Sequence, residues 1–342
     1  MTKRETVLKT IAREPTEYIP YSFDLSGEIA NAIHKWLSDS GKLADDGFIG
    51  DYFQFVGSGF PDGYKNEGPM GANLYKDEFG SVWDFTFGSC GNMREPALAG
   101  PSLKGYAFPN GAAPGRWSHI DEKALKNSGK YIVFSPIGLF DTCWRLRGFE
   151  NFLADMAGEE NGFMEDILDL GAEFICDLVK TAPPCIDGVR FTEDWGLQRG
   201  MMMSPSLWRA LLKPRLKKMY GAARSKGFGV LIHSCGDIAQ IFPDLIEIGV
   251  EVVNPVQPEA MDIHMLKREY GKDLVFYGGL GSQSTLIHGT VQDVIDEVED
   301  RVRIIGKGGG LILGPAGTIP RDGKHENAFK LVELCMNGLK CP

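Results

Sequence analysis

The sequence predicts an α/β protein, a (β/α)8 TIM-like barrel carrying an N-terminal hairpin and loop insertion, on three observations. From about residue 130 onward, short apolar, β-branched runs alternate with longer amphipathic ones, the pattern of parallel strands joined by crossover helices. The short runs are apolar at both parities, as strands covered on both faces must be. The helix starts between them carry side chains suited to the first free amides of a helix.

Strand candidates lie at 131–136, 186–192, 228–233, 250–255, 274–278 and 310–313, and an earlier run at 18–24 opens the barrel. One strand of the eight has no evident place in this reading, and a doubly wound sheet is the structural alternative. Phe163, Ile167, Leu170, Phe174 and Leu178 form one helical stripe, and Leu207, Leu211, Met219 and Ala222 roughly form another. Ser204-Pro205 supplies a cap with proline in the first turn, and Thr290 precedes an acidic first turn at Asp293. Residues 58–130 break the alternation. Within them 73–85 reads as a hairpin turning at Asp77-Glu78-Phe79-Gly80, and 88–114 is rich in Gly, Pro and Asn. This segment is expected to cover one barrel end as part of a single domain spanning 1–342.

Charge and composition remove whole classes of partner. A formal charge of −10 repels a phosphate backbone, and the densest basic stretch, 213–218, falls on a predicted helix where it reads as a solvated face. No nucleic acid is therefore expected. The N-terminus is charged, and no apolar run approaches the about 20 residues needed to cross a bilayer, so no membrane is expected. Seven cysteines, odd in number and irregularly spaced in a chain of this size, indicate reduced thiols and a cytoplasmic setting.

The chemistry concentrates at strand ends. His233-Ser234-Cys235-Gly236-Asp237 follows the apolar run Gly229-Val230-Leu231-Ile232. Alternation along a strand puts His233 and Cys235 on one face, and at the C-terminal mouth of a parallel barrel that face looks into the funnel. An imidazole and a thiolate so placed are two good zinc ligands; the bland alternative is a packed, hydrogen-bonded histidine. One strand earlier, Arg190-Phe191-Thr192-Glu193-Asp194-Trp195-Gly196 offers adjacent carboxylates, of which only one can enter the funnel. Glu193 is the expected metal ligand, with Asp194 beside it as an acid–base or supporting group; a helix cap and a solvated carboxylate are the alternative. Asn254-Pro255-Val256-Gln257-Pro258 ends the next strand, where the amides of Asn254 and Gln257 suit either substrate or a metal-bound ligand, or plain turn chemistry. Tyr21, Phe23, Asp24 and Met202 complete the expected substrate-binding set with Gln257, although Met201-Met202-Met203 also suits core or lid packing. Tyr277-Gly278-Gly279-Leu280-Gly281 and Gly308-Gly309-Gly310 lack either phosphate-loop spacing, so a nucleotide site is rejected. The other cysteines show no ligand spacing.

These segments, in this order, resemble the uroporphyrinogen decarboxylase superfamily over nearly the whole chain. The matching stretches run from Arg4-Glu5-Thr6-Val7-Leu8 and Ile19-Pro20 through Leu146-Arg147-Gly148-Phe149-Glu150, Glu193-Asp194-Trp195-Gly196, Ser204-Pro205 and His233-Ser234-Cys235-Gly236-Asp237. They continue to Gly278-Gly279 and Gly317-Thr318-Ile319-Pro320 before Glu326-Asn327. The resemblance implies the barrel and leaves a choice of branch. Porphyrinogen decarboxylases carry an arginine-containing stretch after the first strand for a substrate with many carboxylates. Here that stretch reads Pro20-Tyr21-Ser22-Phe23-Asp24-Leu25-Ser26-Gly27, and Arg4 and Arg13 are the only arginines before Arg94. The zinc methyltransferase branch uses His-x-Cys, matching His233 and Cys235, with a third ligand that is commonly a cysteine after the last strand. Ala316 stands near that position, so either another group completes the site, Glu193 first among the candidates, or the metal reading fails. The resemblance thus implies a zinc methyltransferase, in the forward sense an O-demethylase, and the side chains of Tyr21, Phe23 and Met202 point to an aromatic methyl ether. It would exchange methyl between a small substrate and a corrinoid, cobalamin, held by a partner protein. The alternatives are a metal-free decarboxylase or lyase using Asp24 or Asp194, and a barrel that only binds a ligand.

Overall fold

A computed structural model describes residues 1–23, 25, 27–42, 49–64, 73–86, 91–158, 162–319 and 323–342. Seven parallel strands follow one another round the core: β1 (Phe53–Val56), β2 (Tyr131–Phe134), β3 (Gly188–Thr192), β4 (Gly229–His233), β5 (Val252–Val256), β6 (Val275–Leu280) and β7 (Leu311–Pro315). The circle is closed by the segment around Tyr21. Ser22 N–H donates to the Leu313 carbonyl at 3.0 Å and Leu313 N–H to that of Pro20 at 2.9 Å, while Tyr52 N–H reaches the Tyr21 carbonyl at 3.3 Å on the other side. The expected first element at 18–24, described to residue 23, is therefore the eighth member of a (β/α)8 barrel, and its described residues join β7 through the parallel Tyr21–Leu313 bridge. Pro20 lacks an amide donor, which limits how far that ladder can run. Closure excludes a doubly wound sheet, which must keep two open edges.

β1 is the strand that sequence reasoning could not place. Its four residues, Phe-Gln-Phe-Val, are short, interrupted by Gln54 and joined directly to the Gly- and Pro-rich insertion.

Both-parity burial has its expected cause. Phe53, Val133, Leu231, Val252, Val275 and Ile312 fill the barrel interior, while Phe134, Val189, Phe191, Ile232 and Phe276 face the surrounding helices. The N-terminal end is stoppered by the helix Lys3–Ile11. Its Val7 and Ile11 join the interior cluster, and Arg4 ties it down through its N–H to the Gly129 carbonyl and its guanidinium to Asp187. Entry to the interior is left to the opposite end, where the strands finish.

The hairpin at 73–85 is present. Leu74–Lys76 pairs antiparallel with Val82–Asp84, and Asp77 Oδ1 accepts from the Phe79 and Ser81 amides across the turn. A third strand, Asn92–Glu95, adds to it from the stretch read as loop. The described part of the insertion packs on the helices Leu139–Arg147 and Gly162–Thr181, through Ser81 Oγ on the Arg145 carbonyl at 2.8 Å and Phe79 edge-on to Phe174. No helix among the described residues is long and apolar enough to cross a membrane.

Candidate metal centre

His233 ends β4 in register with Asn254 of β5 and Thr192 of β3. It points inward with Leu231, two residues below it. Asn254 Oδ1 lies 2.7 Å from His233 Nδ1. An amide oxygen only accepts, so this contact fits a proton on Nδ1 and directs Nε2 toward Cys235. Cys235 Sγ is 3.7 Å from that Nε2, and Asp194 Oδ1 is 3.9 Å from it. One donor atom from each of Asp194, His233 and Cys235 lies within 4.8 Å of the others.

Two loops are pressed together to hold these groups. A Cβ on Gly196 would stand 2.4 Å from the Cys235 carbonyl oxygen, and one on Gly236, at φ +77°, would stand 2.4 Å from the Gly196 carbonyl carbon. Glycine at both positions allows that approach. Cys235 N–H then donates to Asp194 Oδ1 at 3.0 Å, Trp195 N–H to Ser234 Oγ at 3.1 Å, and Asp194 N–H to Asp141 Oδ2 at 3.2 Å.

The three donors suit zinc. Tetrahedral zinc with ligand bonds of about 2.0–2.3 Å needs donor separations of about 3.3–3.6 Å, so the 3.7 Å and 3.9 Å gaps need only a small contraction. A nitrogen, a sulfur and an oxygen leave a fourth position for substrate. Asn254 behind His233 is the usual outer partner of a ligating imidazole.

Glu193, expected as the third ligand or as a catalytic group, is turned the other way. It is fully buried, and its two oxygens accept from the Leu139 and Phe140 amides at 2.6 and 2.9 Å. Those are orphan donors at the start of the helix Leu139–Arg147, whose N-cap, Gly138, has no side chain to offer. A Cβ at Gly138 would stand 2.3 Å from Glu193 Cδ. Burial, then the charge of Asp141, push the Glu193 carboxyl up, against the pull of the two amides. The helix takes Glu193, and Asp194 is the carboxylate that lies beside His233 and Cys235.

Tyr21, expected in the substrate set, is buried. Its hydroxyl donates to the Ile49 carbonyl at 2.9 Å and its buried ring packs on Tyr52 and Phe23. Phe23 is partly buried against the same cluster, and Asp24 lies outside the described residues. Met202 is partly buried against the core, its N–H on the Trp195 carbonyl. Gln257 is placed beside the three donors. It is buried, accepts from Gly236 N–H at 3.2 Å and donates to Gln198 Oε1 at 3.3 Å. It lines a cavity of about 350 Å³ with Cys235, Gln198, Ser282, Gln283 and Ala316. The Gln198–Gln283 contact at 3.0 Å extends this row of amides to the rim. Neither glutamine stands in a motif, and nothing in the sequence distinguishes them from surface residues.

The model of the uroporphyrinogen decarboxylase (URO-D) family matches residues 132–337. The chain belongs to the uroporphyrinogen decarboxylase family. Among solved structures this family member is similar to a methyltransferase from Methanosarcina mazei, at 18% identity over 97% of this chain and 98% of that one, with a TM-score of 0.69. An endo-beta-1,4-mannanase from Thermotoga petrophila aligns at 12% identity over 93% and 77% of the two chains, with a TM-score of 0.44, too low to bear on the fold. No curated protein matches. As a uroporphyrinogen decarboxylase family barrel, the chain has Ala316 buried on the wall of the cavity beside Cys235, its N–H given to the Leu280 carbonyl. A methyl group stands where the resemblance sought a cysteine, and the geometry offers Asp194, from the far side of β4, as the third donor.

Proposed function

We propose that this chain is a zinc-dependent methyltransferase that moves a methyl group between a small substrate and a corrinoid carried by a partner protein. The observation that carries the reading is the convergence of Asp194, His233 and Cys235 at the open barrel end, with Asn254 fixing the imidazole. Zinc held there would act as a Lewis acid on the heteroatom that loses or accepts the methyl group. The protein's own part is to fix the His233 ring through Asn254 with Nε2 toward Cys235 and Asp194, and to keep Asp194 half-exposed beside them. Gln257 and the amides beside it orient the substrate, and Glu193 fixes the helix that carries Asp141, on which the Asp194 backbone rests. The Methanosarcina mazei methyltransferase, alike in fold, supports the reaction class.

Metal analysis and a transfer assay test the proposal. Purified protein is expected to carry about one zinc per chain, lost in Cys235→Ala, and to transfer methyl from a methyl ether to a reduced corrinoid protein, followed by the cobalamin spectrum. Zinc-free protein that turns over a substrate, or zinc retained in full by Cys235→Ala, contradicts it.

A further inference from the structure

The strand that leads to the metal centre also places a cation inside the barrel. β3 reads Gly188-Val189-Arg190-Phe191-Thr192, and Val189 and Phe191 are sealed against the outer helices. Arg190 therefore has the inward parity. It is in register with Leu231, a member of the interior cluster. His233 pairs with Thr192, two residues further along, so Arg190 starts about 7 Å below the level of the imidazole.

The guanidinium lies on the face of Phe55, with Cζ 4.4 Å from the ring centroid, and Nε reaches Ser135 Oγ at 3.4 Å. Among the described residues, neither Nη group has an acceptor and no carboxylate pairs with Arg190. Three other guanidinium groups buried in this chain have carboxylate partners, while Arg145, stacked on Trp83 and Trp144 beneath the insertion, shares the unpaired state away from the mouth. Arg116 is paired with Glu78, Arg147 with Asp155, and Arg301 with both Glu297 and Asp300. A cation on the inward face of a barrel whose interior is filled by Val133, Leu231 and Val252, with no counter-ion among the described residues, is costly. Arg190 is only partly buried, and since Val7 and Ile11 stopper the other end, its opening is toward the mouth.

We propose that Arg190 is the specificity-determining residue of the funnel and that it recognises an oxyanion (carboxylate, sulfonate or phosphate) on the inner end of the ligand. The ligand's outer end then lies level with Asp194, His233 and Cys235. Stacking on Phe55 holds the guanidinium plane and leaves its fork for two oxygens, a pairing that suits arginine and not lysine. The inference rests on the mouth being the substrate site, and not on methyl transfer itself.

Isothermal titration of the zinc-loaded protein with benzoate, benzenesulfonate, phenylphosphonate and the neutral benzamide tests it. At least one anion is expected to bind and benzamide is not, and the preferred anion identifies the oxyanion. Arg190→Gln should weaken that binding about tenfold or more at unchanged zinc content and melting temperature, and Arg190→Lys should fall between the two. The proposal is overturned if benzamide binds as tightly as the anions, if Arg190→Gln keeps the anion affinity, or if no anion binds at millimolar concentration. Should Arg190→Gln not fold, the comparison of anions with benzamide in the natural chain decides. Failure of the methyltransferase reading would show separately, as missing zinc or missing transfer with anion binding intact.

Discussion

The two sides of the chain leaving β3 put the same functional group to opposite uses. On the helix side, Glu193 is sealed from water with both oxygens on backbone amides. On the mouth side, the Asp194 side chain is 45% exposed and sits beside an imidazole and a thiol. The difference shows that a carboxylate's role is set by which donors reach it and how much water remains. Two orphan helix amides make a structural anchor, and an imidazole and a thiol beside the other carboxylate make a candidate cation site.

Substitution separates the two sides, and the largest effect belongs to Glu193. Glu193→Ala strands the Leu139 and Phe140 amides in the core and should cost about 3 kcal/mol in denaturant unfolding. A loss under about 1 kcal/mol would show that the anchor is not structural. Asp194→Asn keeps an acceptor for the Cys235 amide but removes the charge. It should weaken zinc about 100-fold by competition with a chelator, while stability stays within about 0.5 kcal/mol. If the Glu193 variant lost zinc at full stability while Asp194→Asn kept it, the assignment of the two sides would be reversed. Asn254→Ala acts through His233 and should weaken zinc about 10-fold to 100-fold, with ligand identity unchanged.

The smallest effect concerns a third carboxylate. Asp51, between the Tyr21 segment and β1, accepts from Ser22 Oγ and from the Phe23 and Phe53 amides. Burial nonetheless pushes its carboxyl up to about 6 from an ordinary 3.8. Between those values the folded chain holds a proton that the unfolded chain has released. The contribution of Asp51 is thus full below about pH 4 and declines as pH rises through about 6, with a slope of at most one proton. Asp51→Asn should remove that slope from stability measured against pH, and an unchanged slope would assign it to other groups.

The barrel was legible where its physics is local. Both-parity apolar runs mark β2 to β7 because each is covered on two faces, and His233 and Cys235 are two positions apart on a strand end, where parity puts them together. β1 was hidden by its brevity beside the insertion. The choice between Glu193 and Asp194 was hidden for a different reason. Parity says that one of them faces the funnel, but which one depends on the helix Leu139–Arg147, about fifty residues away in sequence, and on its need for a cap at Gly138. Arg190 gave a readable signal, a charge set between the outward-facing Val189 and Phe191; that no carboxylate among the described residues pairs with it becomes visible only when the barrel is closed.

X-ray absorption at the zinc edge tests the central claim most directly, because it counts the sulfur atoms around the metal. Loaded protein should show one sulfur at about 2.3 Å with nitrogen and oxygen at about 2.0 Å, and the sulfur should vanish in Cys235→Ser. A zinc shell with no sulfur, or with two, would contradict a centre built from Asp194, His233 and Cys235.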